Sequence, residues 1–127
     1  MGLFQHDVKV IDSGGREIAV VKCWVDTASS YTWLPRDVAD KLGIEPEEER
    51  TFVLADGRRE RRLVAQVRIS LVGPVFATYC AFAEAGEEFL LGAIALEEAG
   101  LAVDPVYKRL VPAESYALTR LDEEPAP

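Results

Sequence analysis

The 127-residue chain has one histidine, His6, and two cysteines, Cys23 and Cys80. A lone histidine near the start leaves no material for a Ser-His-Asp or Cys-His arrangement, or for a histidine-based zinc site. The cysteines lie far apart in apolar surroundings with no second pair to form a zinc knuckle, so both read as buried thiols. Long apolar runs are also missing. The longest are a few residues, against the roughly 20 a membrane helix needs, and the charged start (His6, Asp7, Lys9) carries no signal-peptide core. A cytoplasmic protein with no membrane partner is the expectation. Positive charge is scarce: 14 Lys and Arg against 22 Asp and Glu leave a net charge of -8. That surface repels a phosphate backbone, so nucleic acid is not an expected partner.

Carboxylate is what the chain has in quantity, and any catalysis therefore falls to Asp and Glu as general acids and bases. Apolar residues at 49% and charged residues at 28% describe an ordinary folded domain, long enough for one core and too short for two. One domain is expected over 1–116, with a flexible tail over 117–127.

Turn residues cut the chain into short apolar segments. Val8 and Val10, then Ile18 and Val20, flank Asp12-Ser13-Gly14-Gly15, which predicts a hairpin of 7–11 with 16–25. Pro35, the shared face of Val38, Ala39 and Leu42, and the stop at Gly43 predict a helix over 35–42. Glu45 to Arg50 reads as a charged connection. Asp56-Gly57, among the strongest hairpin signals, predicts a projecting hairpin, and its return arm Arg58-Arg59-Glu60-Arg61-Arg62 reads as solvated and free of the core. Further strands are expected over 64–71 and 75–82 and at 89–91, a second helix over 93–99 ending at Gly100, and closing strands around 101–103 and 107–111. Many short strands with two short helices make this an all-β closed or sandwiched structure.

The chemistry centres on Val25-Asp26-Thr27-Ala28-Ser29-Ser30, an acid at the end of an apolar strand followed by a hydroxyl and small residues. Small residues let other backbone approach, and a partly desolvated carboxyl can be oriented by neighbouring hydrogen bonds. The other acids have simpler roles: Asp56 sits in a turn, Asp104 precedes Pro105, and the run Glu45, Glu47, Glu48, Glu49 lacks the oxygen spacing of a calcium loop. No metal and no cofactor are expected. Ser29 and Ser30 have no histidine to activate them and read as loop-shaping residues. Trp24, Tyr31 and Trp33 either fill the core or line subsites.

The order of these features resembles the retropepsin-like (retroviral-type) aspartic proteases. The Asp-Thr/Ser-Gly-Ala/Ser signature of that family is matched by Asp26-Thr27-Ala28-Ser29 after the second strand. Its β-hairpin flap corresponds to 51–63, with Leu54, Ala55, Asp56 and Gly57 at the substrate-facing tip. Its closing pair of apolar residues and glycine before a helix is matched by Leu90-Leu91-Gly92. The resemblance covers roughly residues 7–112 and implies the acid-protease fold, a closed β-barrel with one or two short helices that works as a homodimer. It also implies an aspartic endopeptidase acting on peptide or protein substrates, with Asp26 from each subunit as the catalytic pair. Thr27, Ala28 and Ser29 would support that pair, Thr27 by hydrogen-bonding to the loop of the other subunit. The arithmetic agrees: two carboxylates sharing a proton need two such loops, and the chain has one. Ala28 stands where the family has glycine, which leaves a second reading open, a catalytically silent module for dimerisation or peptide binding. A third, a nucleic-acid-binding β-barrel, has only the arginine-rich arm behind it.

Overall fold

Alternating burial in the first segments builds the first hairpin: β1 (Phe4–Ile11) pairs antiparallel with β2 (Ile18–Val25), from Phe4 opposite Val25 to Ile11 opposite Ile18. Val8, Val10, Cys23 and Val25 point inward and are fully buried. The computed structural model describes residues 4–114, so the tail expected over 117–127 lies outside the described residues. After Asp26 the chain crosses into β3 (Thr32–Pro35), and the fixed φ of Pro35 (-58°) starts α1 (Arg36–Lys41), within the predicted helix.

The projecting hairpin is formed by β4 (Glu48–Val53) and β5 (Arg59–Ser70), with Gly57 at φ +87° supplying the turn conformation that side chains resist. β4 begins at Glu48, so the charged Glu48-Glu49-Arg50, read from sequence as connection, is strand. As an outer strand, β4 tolerates charge along its length. β5 spans 12 residues, about 40 Å of extended chain. That length gives it two roles. Residues 59–64 pair with β4 and project, whereas 64–69 pair with β6 (Phe76–Ala83) and 68–70 with β1.

Two residues, β7 (Leu90–Leu91), run parallel to the end of β2 and antiparallel to β3. The sheet order is β1-β2-β7-β3-β6-β5-β4, and the β1–β5 pairing joins its strands into a ring. Inside lie Leu34, Val67, Ile69 and Leu91, each worth roughly 1.5 to 3 kcal/mol on burial, while Val64 faces the other way and packs with Phe52 and Ala81. Cys23 and Cys80 are buried free thiols, and burial pushes Cys23 up to about 12 and Cys80 further. The architecture of the described residues is thus mostly β, with two short helices.

α2 (Ala93–Ala99) ends at Gly100 in the left-handed conformation (φ 71°). The closing strands then differ from expectation. β8 (Leu101–Asp104) and β9 (Arg109–Pro112) form a separate two-stranded sheet, and Tyr107, expected in a strand, lies in the turn between them. Asp104 makes that turn: its Oδ1 accepts from the N–H groups of Val106 (3.0 Å) and Tyr107 (3.2 Å).

Candidate active site

Asp26 lies at the end of β2, where Val25 is fully buried, and is itself 6% exposed. Its N–H donates to the Leu91 carbonyl (2.9 Å), which extends the β2–β7 ladder by one residue. The turn that follows orients the side chain: Oδ1 accepts from the Ala28 N–H (3.1 Å), while the Asp26 carbonyl accepts from the Ser29 N–H (3.1 Å). Thr27 and Ala28 are exposed, and Ser29 is half-buried with its Oγ donating to the Tyr31 carbonyl (2.7 Å). Ser29 and Ser30 shape the loop in the way the sequence suggested.

The loop is fixed to the far end of the chain. The N–H groups of Ala93 and Ile94, which open α2 and have no intrahelical acceptor, donate to the carbonyls of Ser29 (2.8 Å) and Ser30 (3.0 Å). Gly92 sits directly against this crossing. A Cβ there would lie 2.4 Å from the Tyr31 carbonyl oxygen and 2.8 Å from that of Ser30, both backbone atoms that have nowhere to go. Its own N–H donates to Thr32 Oγ1 (3.1 Å). Sequence reasoning passed over Thr32. A threonine among Tyr31, Trp33 and Leu34 is a signal, since a buried hydroxyl in an apolar strand needs a partner.

Above the loop lies an open cleft of about 1120 Å³. Asp26, Ala28, Ser29 and Ser30 form its floor, and residues 50–55 of the projecting hairpin face it from above. Leu54 and Ala55 line it. Asp56 and Gly57 do not; they form the turn, where hydrogen bonds from the Arg58 N–H and guanidinium hold the Asp56 carboxyl below its usual range. Leu90 lines the cleft, Leu91 is buried behind it, and Gly92 is the packing point described above.

Trp24, Tyr31 and Trp33 all line the cleft, and Tyr31 and Trp33 also pack against the buried cluster of Phe52, Val64 and Ala81. Phe52 of β4 packs edge-on against Tyr31 (centroids 5.4 Å apart) and tilted against Trp33 (5.3 Å), so the hairpin base is anchored to the segment after the loop. Arg62 corrects the reading of a solvated arm. Arg58, Arg59 and Arg61 are exposed, but the Arg62 side chain is 5% exposed, stacked over Trp33 at 5.1 Å. Its guanidinium donates to both Glu87 oxygens (2.6 and 2.9 Å) and to Glu60 (2.6 and 3.1 Å). The Arg62 hydrogen bonds in turn hold the Glu87 carboxyl below its usual range. Glu88, the next residue, accepts from the Trp24 indole N–H at 2.5 Å.

Each chain thus presents one buried, oriented carboxylate at the floor of a cleft roofed by a hairpin. Among the described residues no group of three or more His, Cys, Asp or Glu is placed to hold a metal. A family model described as aspartyl protease matches residues 8–94, from β1 to the first turn of α2. That span takes in the Asp26 loop, the hairpin and Leu90-Leu91-Gly92. Comparison with curated proteins gives no match.

Proposed function

Because the chain belongs to this retropepsin-like aspartyl protease family, we propose that it is an aspartic endopeptidase whose active site is shared by two copies, each supplying Asp26. The observation that carries the reading is the position of Asp26, buried and oriented beneath an open cleft and present once per chain. Cleavage of an unactivated amide by carboxylates needs one as base and one as acid, so the second must come from another protomer.

In this mechanism the ionised Asp26 takes a proton from water, and the water oxygen bonds to the scissile carbonyl carbon. The protonated Asp26 of the partner hydrogen-bonds to the carbonyl oxygen as charge builds there. The tetrahedral adduct collapses when a proton reaches the amide nitrogen and the C–N bond breaks. Two such close carboxylates cannot both ionise cheaply, so their titration belongs to the pair. The exposed side chain of Thr27 is available to brace the opposing loop. The hairpin β4–β5 would cover an extended peptide and exclude water during the reaction.

Native mass spectrometry tests the shared site. Activity should travel with a species of twice 14.0 kDa, and an active monomer would contradict the mechanism. Ala28 favours a second reading. Its methyl group lines the cleft where the family has glycine, and a dimer that binds peptides without cutting them is the outcome if that methyl excludes the scissile bond. The buried free thiols support a reducing compartment, and the cytoplasm is the proposed location.

A further inference from the structure

The charges lining the cleft are Asp26, Arg50, Arg62, Glu87 and Glu88. Most are already balanced. Arg62 is held between Glu87 and Glu60, and Arg50 pairs with Glu48 at 3.3 Å while stacking on Tyr79 at 4.6 Å. Glu88 is different: the bond drawn to it is from a neutral donor, the Trp24 indole, and among the described residues no cation pairs with it. A carboxylate facing the cleft without a cation is an electrostatic preference looking for one.

Its location makes that preference relevant to the reaction. Trp24 lies two positions before Asp26, which continues the β2 ladder by one hydrogen bond, so strand alternation sets the two on one side, about 7 Å apart along the chain. The Trp24 backbone N–H donates to the Phe89 carbonyl (2.8 Å), and Trp24 is the register partner of Leu90, which brings Glu88 alongside the strand that leads into Asp26. There is also depth. A second cavity of about 1060 Å³ shares Trp24, Arg62, Ala83, Gly86, Glu87 and Glu88 with the cleft, so the space at Glu88 continues outward. A long side chain fits such an opening better than a short one.

We propose that Glu88, oriented by Trp24, is the specificity-determining residue of the cleft, and that it selects substrates carrying arginine or lysine one or two residues from the scissile bond. The inference rests on the peptidase reading for the word substrate, but the recognition itself needs only peptide binding. Glu88 accepts from the indole through Oε1, which leaves Oε2 as the acceptor for an incoming cation. A guanidinium there would lie against the Trp24 ring, as Arg62 lies against Trp33. Displacement of the loop over 84–88 is opposed by the Arg62–Glu87 pair, so the carboxylate is held before substrate arrives.

The test uses blocked octapeptides in an alanine frame, with arginine, norleucine or glutamate placed at each position in turn. Cleavage by the wild type is read by mass spectrometry, and binding to Asp26→Asn is read in parallel by fluorescence anisotropy. Arginine at one position should improve cleavage and binding about tenfold or more over norleucine, the effect of a hydrogen bond to a charged group. Glu88→Gln should remove that ratio, and Glu88→Lys should reverse it in favour of glutamate. Binding with the arginine preference but without cleavage would overturn the peptidase reading and keep the assignment of Glu88. Equal responses to arginine and norleucine in binding, an unchanged preference in Glu88→Lys, or no binding by a folded Asp26→Asn dimer would overturn the assignment.

Discussion

Gly92→Ala isolates the crossing that holds the Asp26 loop. Gly92 has φ -90° and ψ 173°, a conformation any residue adopts, so alanine meets no backbone penalty there. Alanine would even gain about 0.4 to 1 kcal/mol by stiffening the unfolded chain. Against this stand contacts of 2.4 and 2.5 Å to the Tyr31 carbonyl and 2.8 Å to that of Ser30. Relieving them means moving the 30–31 backbone away from α2. Three hydrogen bonds span that gap: Gly92 to Thr32, Ala93 to Ser29 and Ile94 to Ser30. At about 1 kcal/mol each, with about 1 to 3 kcal/mol for overpacking, the net cost after the chain-entropy gain is about 3 to 5 kcal/mol. That is a large share of the 5 to 15 kcal/mol typical of a domain. Urea unfolding at fixed protomer concentration, followed by the fluorescence of Trp24 and Trp33, measures it. An unfolding free energy within about 0.5 kcal/mol of wild type would refute the claim that the crossing is rigid.

Thr32→Val keeps the shape of a fully buried side chain but removes the acceptor for the Gly92 N–H, and should cost about 1 to 3 kcal/mol in the same urea assay. Arg62→Ala should lower stability and flatten its pH dependence. Glu87 is held below its ordinary value of 4.5 mainly by the Arg62 hydrogen bonds, so its contribution is present above about pH 4.5 and lost as pH falls through the lower folded value. Urea midpoints from pH 3 to 7 should therefore show a steeper acid decline in wild type than in Arg62→Ala; parallel curves would count against the pairing. Ala28→Gly should raise peptidase activity, by up to about a hundredfold if the methyl misplaces the scissile bond, and unchanged kcat/KM would remove Ala28 as an obstacle.

The parts of this fold that were legible in sequence are those written locally. Asp56-Gly57 marked the hairpin, Pro35 and Gly43 bracketed α1, and the acid after an apolar strand marked the site loop. Asp26, Leu54, Ala55 and Leu90 do converge on one cleft. What stayed hidden depends on residues distant along the chain. Arg62 looked like one more solvated arginine because Trp33 and Glu87, which bury it, lie 29 and 25 positions away. Gly92 could be matched to a pattern, but its reason, the backbone of Ser30 and Tyr31, is visible only in three dimensions. Glu48-Glu49-Arg50 read as connection because charge usually signals solvent, and an outer strand satisfies both. The closing strands were legible as strands, but their partners were not: among the described residues β8 and β9 pair with each other, apart from the main sheet.

The most direct measurement is cleavage of a diverse peptide library between pH 4 and 7 by wild type and by Asp26→Asn, read by mass spectrometry with the folded state of both checked by circular dichroism. The account predicts discrete cleavage by wild type and its loss in the folded variant. Cleavage that persists in Asp26→Asn, or none at any pH from a folded wild-type dimer, would contradict it.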